Sequence, residues 1–256
     1  MKKLWLGRYI PTSSSYHNLD PRAKIIIMFL NVLMIIMISS WTQLLIGFLF
    51  MICFLLMSNI PLKFYLKQAM FLKYMYLFFI IFFTLTEGNR LLFEFGFIKI
   101  FSDGFIQGLF YSSKMILFVL MGALLTFTTA PNELVAGARR LFNSVAAEKF
   151  AFMTSLAIRL IPMILDEVKV IYSAQQSRGL DFSELPFMEK LNKLMSIIIP
   201  AIANTIKRLT MMMDVMDCRG YIVGEHRTSI YQLTWKNKDT VMVSLTCIVL
   251  AGIVLV

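Results

Sequence analysis

IIIMFLNVLMIIMIS (Ile25–Ser39), then Ser40-Trp41-Thr42-Gln43, then LLIGFLFMICFLLM (Leu44–Met57) is the stretch that decides the class of fold. No side chain in it is charged. As one straight helix at about 1.5 Å per residue it would reach roughly 50 Å, well beyond a hydrocarbon core of about 30 Å. Two antiparallel helices joined by a tight hairpin at Ser39–Gln43 fit better. Further apolar runs extend from about Ala69 to Thr86, from about Phe105 to Thr129, and from Thr240 to Val256. The last has 17 uncharged residues, close to the shortest helix that spans a bilayer. The whole chain agrees: 58% of its 256 residues are hydrophobic, 23 are Phe and 19 Met, and 16% are charged. Soluble domains hold about 45–50% apolar and about 25% charged residues. The expected fold is therefore an all-α integral membrane protein of about five transmembrane helices. Disorder and a disulfide scaffold are excluded by the same composition.

Charge placement orients these spans. Lys2, Lys3, Arg8, Arg22 and Lys24 precede the first, and Lys63, Lys67 and Lys73 lie between the second and third. The hairpin has no charge, and the loop Glu87–Asp103 sets Glu87, Glu94 and Asp103 against Arg90 and Lys99. Alternation then places the N-terminus in the cytoplasm and the acidic loop outside. Residues 130–239, with 14 Lys and Arg, fall in the cytoplasm, and the C-terminal helix ends outside. The formal net charge of +10 is read accordingly as cytoplasmic loops facing anionic lipid, with no nucleic-acid partner. Met1–Lys24 has no apolar stretch of the sort a removable signal peptide needs.

Three parts follow: a four-helix membrane domain over 1–129, a cytoplasmic-side domain over 130–239 and a C-terminal transmembrane helix over 240–256. In the middle part, Thr129-Ala130-Pro131-Asn132-Glu133 reads as a helix start, with proline near the first turn and a short helix ending about Phe142. From about Ala147 to Ser177, Met153, Leu156, Leu160, Ile164, Val168 and Ile171 recur at helical spacing, with Arg159, Asp166, Glu167 and Lys169 off the stripe. From Met188 to Asp217 a second stripe runs through Leu191, Leu194, Ile198, Ile202, Thr205, Leu209, Met212 and Met216, with Lys193, Lys207, Arg208 and Asp214 elsewhere. Helices of this kind suit a membrane boundary.

The two long helices share a plan. Ile161-Pro162 precedes Ser177-Arg178-Gly179, and Ile199-Pro200 precedes Cys218-Arg219-Gly220. A proline within a helix removes a backbone hydrogen bond and bends it, and a glycine past the last periodic residue stops it. Each helix is thus expected to bend at Pro162 or Pro200 and to present one arginine at its tip. A cation at a helix C-terminus is favourable by about 0.3–1 kcal/mol, which alone accounts for either arginine. Two in parallel fit an acidic groove on another protein, for which the rigid guanidinium fork is suited.

With these residues in view the chain resembles EcfT, the transmembrane coupling subunit of energy-coupling factor transporters, and the related CbiQ-type proteins. Ser15-Tyr16-His17-Asn18-Leu19-Asp20-Pro21-Arg22-Ala23-Lys24 is similar to the family's S-x-x-H-x-L-D-P-R-x-K opening, and Thr129-Ala130-Pro131-Asn132-Glu133-Leu134 to its T-x-P-x-E-L entry. Arg159-Leu160-Ile161-Pro162 with Ala174-Gln175-Gln176-Ser177-Arg178-Gly179 matches R-x-I-P and A-Q-x-x-R-G, and Cys218-Arg219-Gly220-Tyr221 the second R-G-Y. The resemblance implies a non-catalytic subunit bridging two ABC-type ATPases to a small membrane-embedded substrate-binding protein, the S-component. It further implies that Ser177, Arg178, Gly179, Cys218, Arg219 and Gly220 dock on the ATPases, Ser177 and Cys218 standing where alanine is usual. The long helices would form the platform for the S-component, in vitamin or transition-metal uptake across a prokaryotic cell membrane. ATP and Mg would belong to the partner ATPases.

The rest of the sequence points the same way. No G-x-x-x-x-G-K-[ST] phosphate loop occurs. His17 and His226 stand apart with no ligand cluster at metal spacing, so no metal site, cofactor or catalytic group is expected. Cys53, Cys218 and Cys247 are expected as free thiols. The alternative class is a stand-alone secondary transporter or channel, which needs an ionisable group inside the bilayer. Lys114, in the fourth span, is the one charged residue offered for that role, against a reading in which it reaches the outer surface.

Overall fold

The computed structural model describes residues 10, 12, 14–86, 91–95, 98–142, 144–179, 186–222 and 233–255. Lys2, Lys3, Arg8, Glu87, Arg90 and His226 lie outside the described residues. The chain divides into two compact units, Met1–Arg140 with Tyr231–Val256, and Leu141–Ile230.

In the first unit, α1 (Pro21–Met37) and α2 (Trp41–Ser58) form the expected hairpin. The elbow is built around Gln43: its Oε1 accepts from the Ser39 and Ser40 amides at 2.7 and 3.1 Å, covering donors that a helix start leaves open. The third apolar run is not one straight helix. It is α3 (Leu62–Phe71) and α4 (Lys73–Thr86), bent by 51° at Leu72. Tyr65 explains the early start, because its ring sits 5.5 Å from Phe127 and its hydroxyl lies 3.0 Å from Ser58 Oγ, drawing α3 inward. The loop beyond α4 contains an antiparallel pair, β1 (Leu91–Phe95) and β2 (Ile98–Phe101), with Glu94 opposite Lys99. Next come α5 (Ser102–Thr128), α6 (Pro131–Phe142) and, after the second unit, α9 (Asn237–Leu255).

Lipid is as apolar as the helix faces, so close packing and hydrogen bonds, rather than transfer from water, must hold such helices together. α5 supplies both. Gly104, Gly108 and Ser112 lie four residues apart and all are buried. A Cβ at Gly108 would meet Ile80 Cα at 2.9 Å, so α4 rests on α5 backbone to backbone. Ser112 Oγ donates to the Tyr76 carbonyl at 3.2 Å on the same seam. Leu117, Met121, Leu124 and Phe127 of α5 fill the space against Ile27, Met34 and Ile35 of α1 and Met51 and Phe54 of α2.

The second unit contains α7 (Val145–Ser177) and α8 (Phe187–Cys218), two long helices as expected from the paired stripes. Among the described residues four helices, α2, α5, α8 and α9, are long and apolar enough to cross a membrane, and α3 with α4 brings the number to five. The chain is an all-α membrane protein with, among the described residues, one small antiparallel strand pair. α1, read as a span, has 17 residues; α8, read as lying at the boundary, has the length and apolarity of a span.

Candidate functional site: two arginine-capped helix ends

Three features of the first unit set the frame. At one end, the Asp20 side chain N-caps α1 through the Arg22 amide and holds the Arg22 guanidinium at 3.1 and 2.9 Å. The Asp239 carboxylate, 1% exposed, accepts from the Asp20 amide at 2.9 Å and the Lys236 amide at 2.7 Å. Lys24, fully buried, donates to the His17 and Thr128 carbonyls at 3.0 and 3.2 Å. The histidine-to-lysine motif is thus a clasp joining the starts of α1 and α9 to the end of α5.

At the other end, Gln43 donates to the Ile253 carbonyl at 3.0 Å and Lys114 to the Ile38 carbonyl at 2.8 Å. Lys114 also lies over the Phe110 and Tyr111 rings. Its charge is engaged at the C-terminus of α1, where a cation offsets the exposed carbonyl dipoles. That gives Lys114 a structural partner. α6 starts from Ala130, whose carbonyl takes the Glu133 and Leu134 amides, with Pro131 at the first helical position. Within the expected start at Thr129–Glu133, the cap therefore falls on Ala130. Thr129 caps the end of α5 instead. Gly137 of α6 faces Pro21 so closely that a Cβ would lie 3.1 Å from it.

The second unit carries the residues singled out by pattern. α7 runs unbroken through Pro162 and α8 through Pro200, leaving the Ile158 and Ser196 carbonyls without their usual fourth-residue donor. Both helices stop in the same way. Arg178 and Arg219 occupy the C-cap positions with φ −87°, ψ 11° and φ −88°, ψ 9°. Gly179 and Gly220 follow at φ +86° and +73°, the left-handed region in which a side chain is strained. Among the described residues, chain neighbours apart, no atom lies within 4 Å of a Cβ built on either glycine, so backbone conformation selects glycine there. Their amides close on Gln176 and Asp217 at 2.9 Å. In α8 the Tyr221 amide also returns to the Met216 carbonyl at 3.0 Å, completing the two-bond Schellman ending.

Ser177, Arg178, Gly179, Cys218, Arg219 and Gly220 are all exposed, and neither guanidinium has a partner among the described residues. Ser177 turns its hydroxyl back to the Ser173 carbonyl at 3.1 Å. Cys218, like Cys53 and Cys247, is a free thiol.

What pattern reading missed is how the two helices meet. Tyr221 stacks on Phe152 with centroids 5.0 Å apart, and Glu167 bonds Asn204 and Arg208 at 2.8 and 2.5 Å. Advancing along α7 from 152 to 167 retreats along α8 from 221 to the 204–208 turn, so the helices are antiparallel. Arg219 accordingly lies beside the first third of α7 and Arg178 at its far end. Roughly 24 residues of helix separate them, about 36 Å at ~1.5 Å per residue. Glu167 and Arg208 were legible only as charges off their stripes.

Comparison with known proteins bears on this arrangement. Residues 12–230 match the family model described as CbiQ, cobalt transport protein. The chain is 34% identical to the energy-coupling factor transporter transmembrane protein EcfT of Bacillus subtilis, over 99% of this chain and 97% of that protein. It is 34% identical to the protein of that name from Streptococcus equi, over 100% and 96%, and 30% identical to that of Lactococcus lactis, over 95% and 94%. A fold of spanning helices with two matching arginine-capped ends, and similarity along its whole length, place this chain in the CbiQ family as a transmembrane protein of the energy-coupling factor transporter type.

Proposed function

We propose that this chain is the coupling subunit of an ATP-driven importer, carrying motion from two ABC-type ATPases to a substrate-binding S-component in a prokaryotic cell membrane. One observation carries the reading: two exposed arginines, without a partner among the described residues, are held in the same C-cap geometry at opposite ends of an antiparallel helix pair. Each end fits one socket, and their separation fits two separate partners better than one. Ser177 and Cys218 leave small side chains beside each arginine, and Gly179 and Gly220 stop the chain so that the guanidinium forms the tip.

ATP and Mg bind on the ATPases in this scheme, and this chain does no chemistry. Closing of the ATPase pair moves the two sockets, α7 and α8 follow, and a docked S-component is tilted between outward and inward states. Pro162 and Pro200 aim the helices by bending them, and the exposed Met and Leu stripes provide a face that repacks as the partner moves. The N-terminus lies in the cytoplasm by charge placement. The cargo is a vitamin or transition-metal ion selected by the S-component. Lys114, tied to the Ile38 carbonyl, supports this reading over a stand-alone transporter.

The test is co-purification of the tagged chain with its ATPases. Arg178→Glu with Arg219→Glu is expected to abolish both ATPase retention and uptake, whereas either single reversal retains a weakened complex. Breaking one buried guanidinium–carboxylate pair at an interface costs about 2–5 kcal/mol, or at least roughly thirtyfold in affinity. Full retention and uptake in the double variant would overturn the docking role of the tips.

A further inference from the structure

The polar side chains that join α7 to α8 lie midway between the two arginine tips, while Phe152 and Tyr221 stack beside the Arg219 end. Glu167 precedes Arg178 by about three helical turns, and Arg208 precedes Arg219 by the same interval. In an antiparallel pair, this places their contact about 16 Å along the helix from each tip. Both Glu167 oxygens are used, Oε1 accepting from the Asn204 side-chain Nδ2 at 2.8 Å and Oε2 from the Arg208 guanidinium at 2.5 Å. The Glu167 side chain is 16% exposed and that of Arg208 is 50% exposed. Apolar packing does little to fix these helices, for among the described residues α7 buries none and α8 buries Ile197 and Ala201. A small cleft lies beside the contact, lined by Leu160, Met163, Ile164 and Thr205 together with Glu167 and Arg208.

We infer that Glu167, Asn204 and Arg208 form the fulcrum of a two-armed lever, setting the angle between α7 and α8 so that displacement at the arginine tips is transmitted instead of being absorbed by sliding. Glu167 and Arg208 are positioning residues: three helical turns from the tips, they act through the geometry of Arg178 and Arg219. A carboxylate with both oxygens engaged by groups one helical turn apart resists rotation and sliding together, which one apolar contact cannot do. The inference deepens the coupling function proposed above and rests on it for its consequence, though not for its geometry.

The experiment uses the chain assembled with its ATPases and S-component, as Glu167→Arg, Arg208→Glu and the combined exchange. Three quantities are read: ATPase retained per chain, substrate taken up per ATP hydrolysed, and the distance between spin labels on Ser173→Cys and Met213→Cys. The labelled chain has Cys53, Cys218 and Cys247 replaced by alanine. Each single reversal is expected to retain the ATPases, to broaden the label distances, and to lower uptake per ATP by about fivefold. The exchange restores opposite charges across the contact and is expected to narrow the distances and return uptake to within about twofold of the parent.

Single reversals with parental distances and parental uptake per ATP would overturn the fulcrum. So would broadened distances that leave uptake untouched. If a reversal prevents recovery of the protein, Asn204→Ala removes one of the two bonds without adding charge, and its distances decide in the same way. A parent that retains no ATPase overturns the coupling function instead, and the label distances still report on the fulcrum in the isolated chain.

Discussion

At the scale of single residues, the N-terminal motif is a structural fastening whose pH response can be worked out. Ser14 Oγ lies 2.7 Å from His17 Nδ1, and the Ile10 carbonyl 3.0 Å from Nε2. The carbonyl can only accept, so Nε2 carries the proton and Nδ1 accepts from Ser14. Burial pushes the imidazole below its ordinary 6.5; the bond to Ile10 and the charge of Glu133 oppose this, while Lys24 adds to it. Burial works to raise the Asp20 carboxyl, but the hydrogen bonds and charge of Arg22 outweigh it and hold the group below 3.8. Both groups take up protons more readily when unfolded. Each therefore contributes stability above its unfolded value and loses it as pH falls. From pH about 7 downward, the melting temperature of the purified chain is expected to fall as pH drops below about 6.5, and to fall again below about 4. His17→Gln should remove the first fall and keep the second; a first fall that persists in that variant belongs to another group. The sequence displayed this motif, yet its purpose was hidden, because Asp239 lies 219 residues from the Asp20 amide it receives.

At the scale of elements, legibility followed the range of the interaction. Apolar runs gave the hairpin of α1 and α2, the long α5 and the stripes of α7 and α8, because each is a local property of period 3.6. The glycine stops were legible for the same reason: a left-handed residue at Gly179 or Gly220 needs nothing beyond its own turn. The bend at Leu72 was not, since it depends on Tyr65 reaching Phe127 and Ser58, contacts that no local period records. The seam between α4 and α5 had a signal that pattern reading passed over, three small residues at intervals of four. Gly108 tests its weight. Because a Cβ there meets backbone atoms of Ile80 at 2.9 and 3.1 Å, Gly108→Ala must push two helices apart, at about 1–3 kcal/mol. Gly122→Ala, on the same helix with nothing within 4 Å, should be neutral or better, since alanine is the stronger helix former. Melting of both variants in one detergent makes the comparison. Equal melting temperatures would mean that α4 and α5 part without cost and that the seam is not what holds them.

At the scale of the whole molecule, the two units differ in what holds them. The first has a contiguous apolar core and polar ties at both ends of its helices, so it carries the means of its own stability. The second leaves Phe150, Met153, Val170, Met188, Ile199 and Ile202 more than half exposed and, among the described residues, buries Ile197 and Ala201. Long helices without a packed face exchange their amide hydrogens through local opening at low free energy, and a partner that binds only the ordered form raises that energy by mass action. Hydrogen exchange of the isolated chain in lipid nanodiscs should therefore be fast at the ends of α7 and α8 and slow in α1, α2 and α5. Adding ATPases should slow exchange around Arg178 and Arg219 by at least tenfold while α1 and α2 stay as they were. Binding energy of about 1.4 kcal/mol at the tips already gives that factor. Bilayer burial predicts another pattern, with α8 protected along its middle before any partner is added, since it has the length and apolarity of a span. Slow exchange at both tips in the isolated chain would show that the second unit orders itself, and partner binding would then transmit force through a stiff lever without also building it.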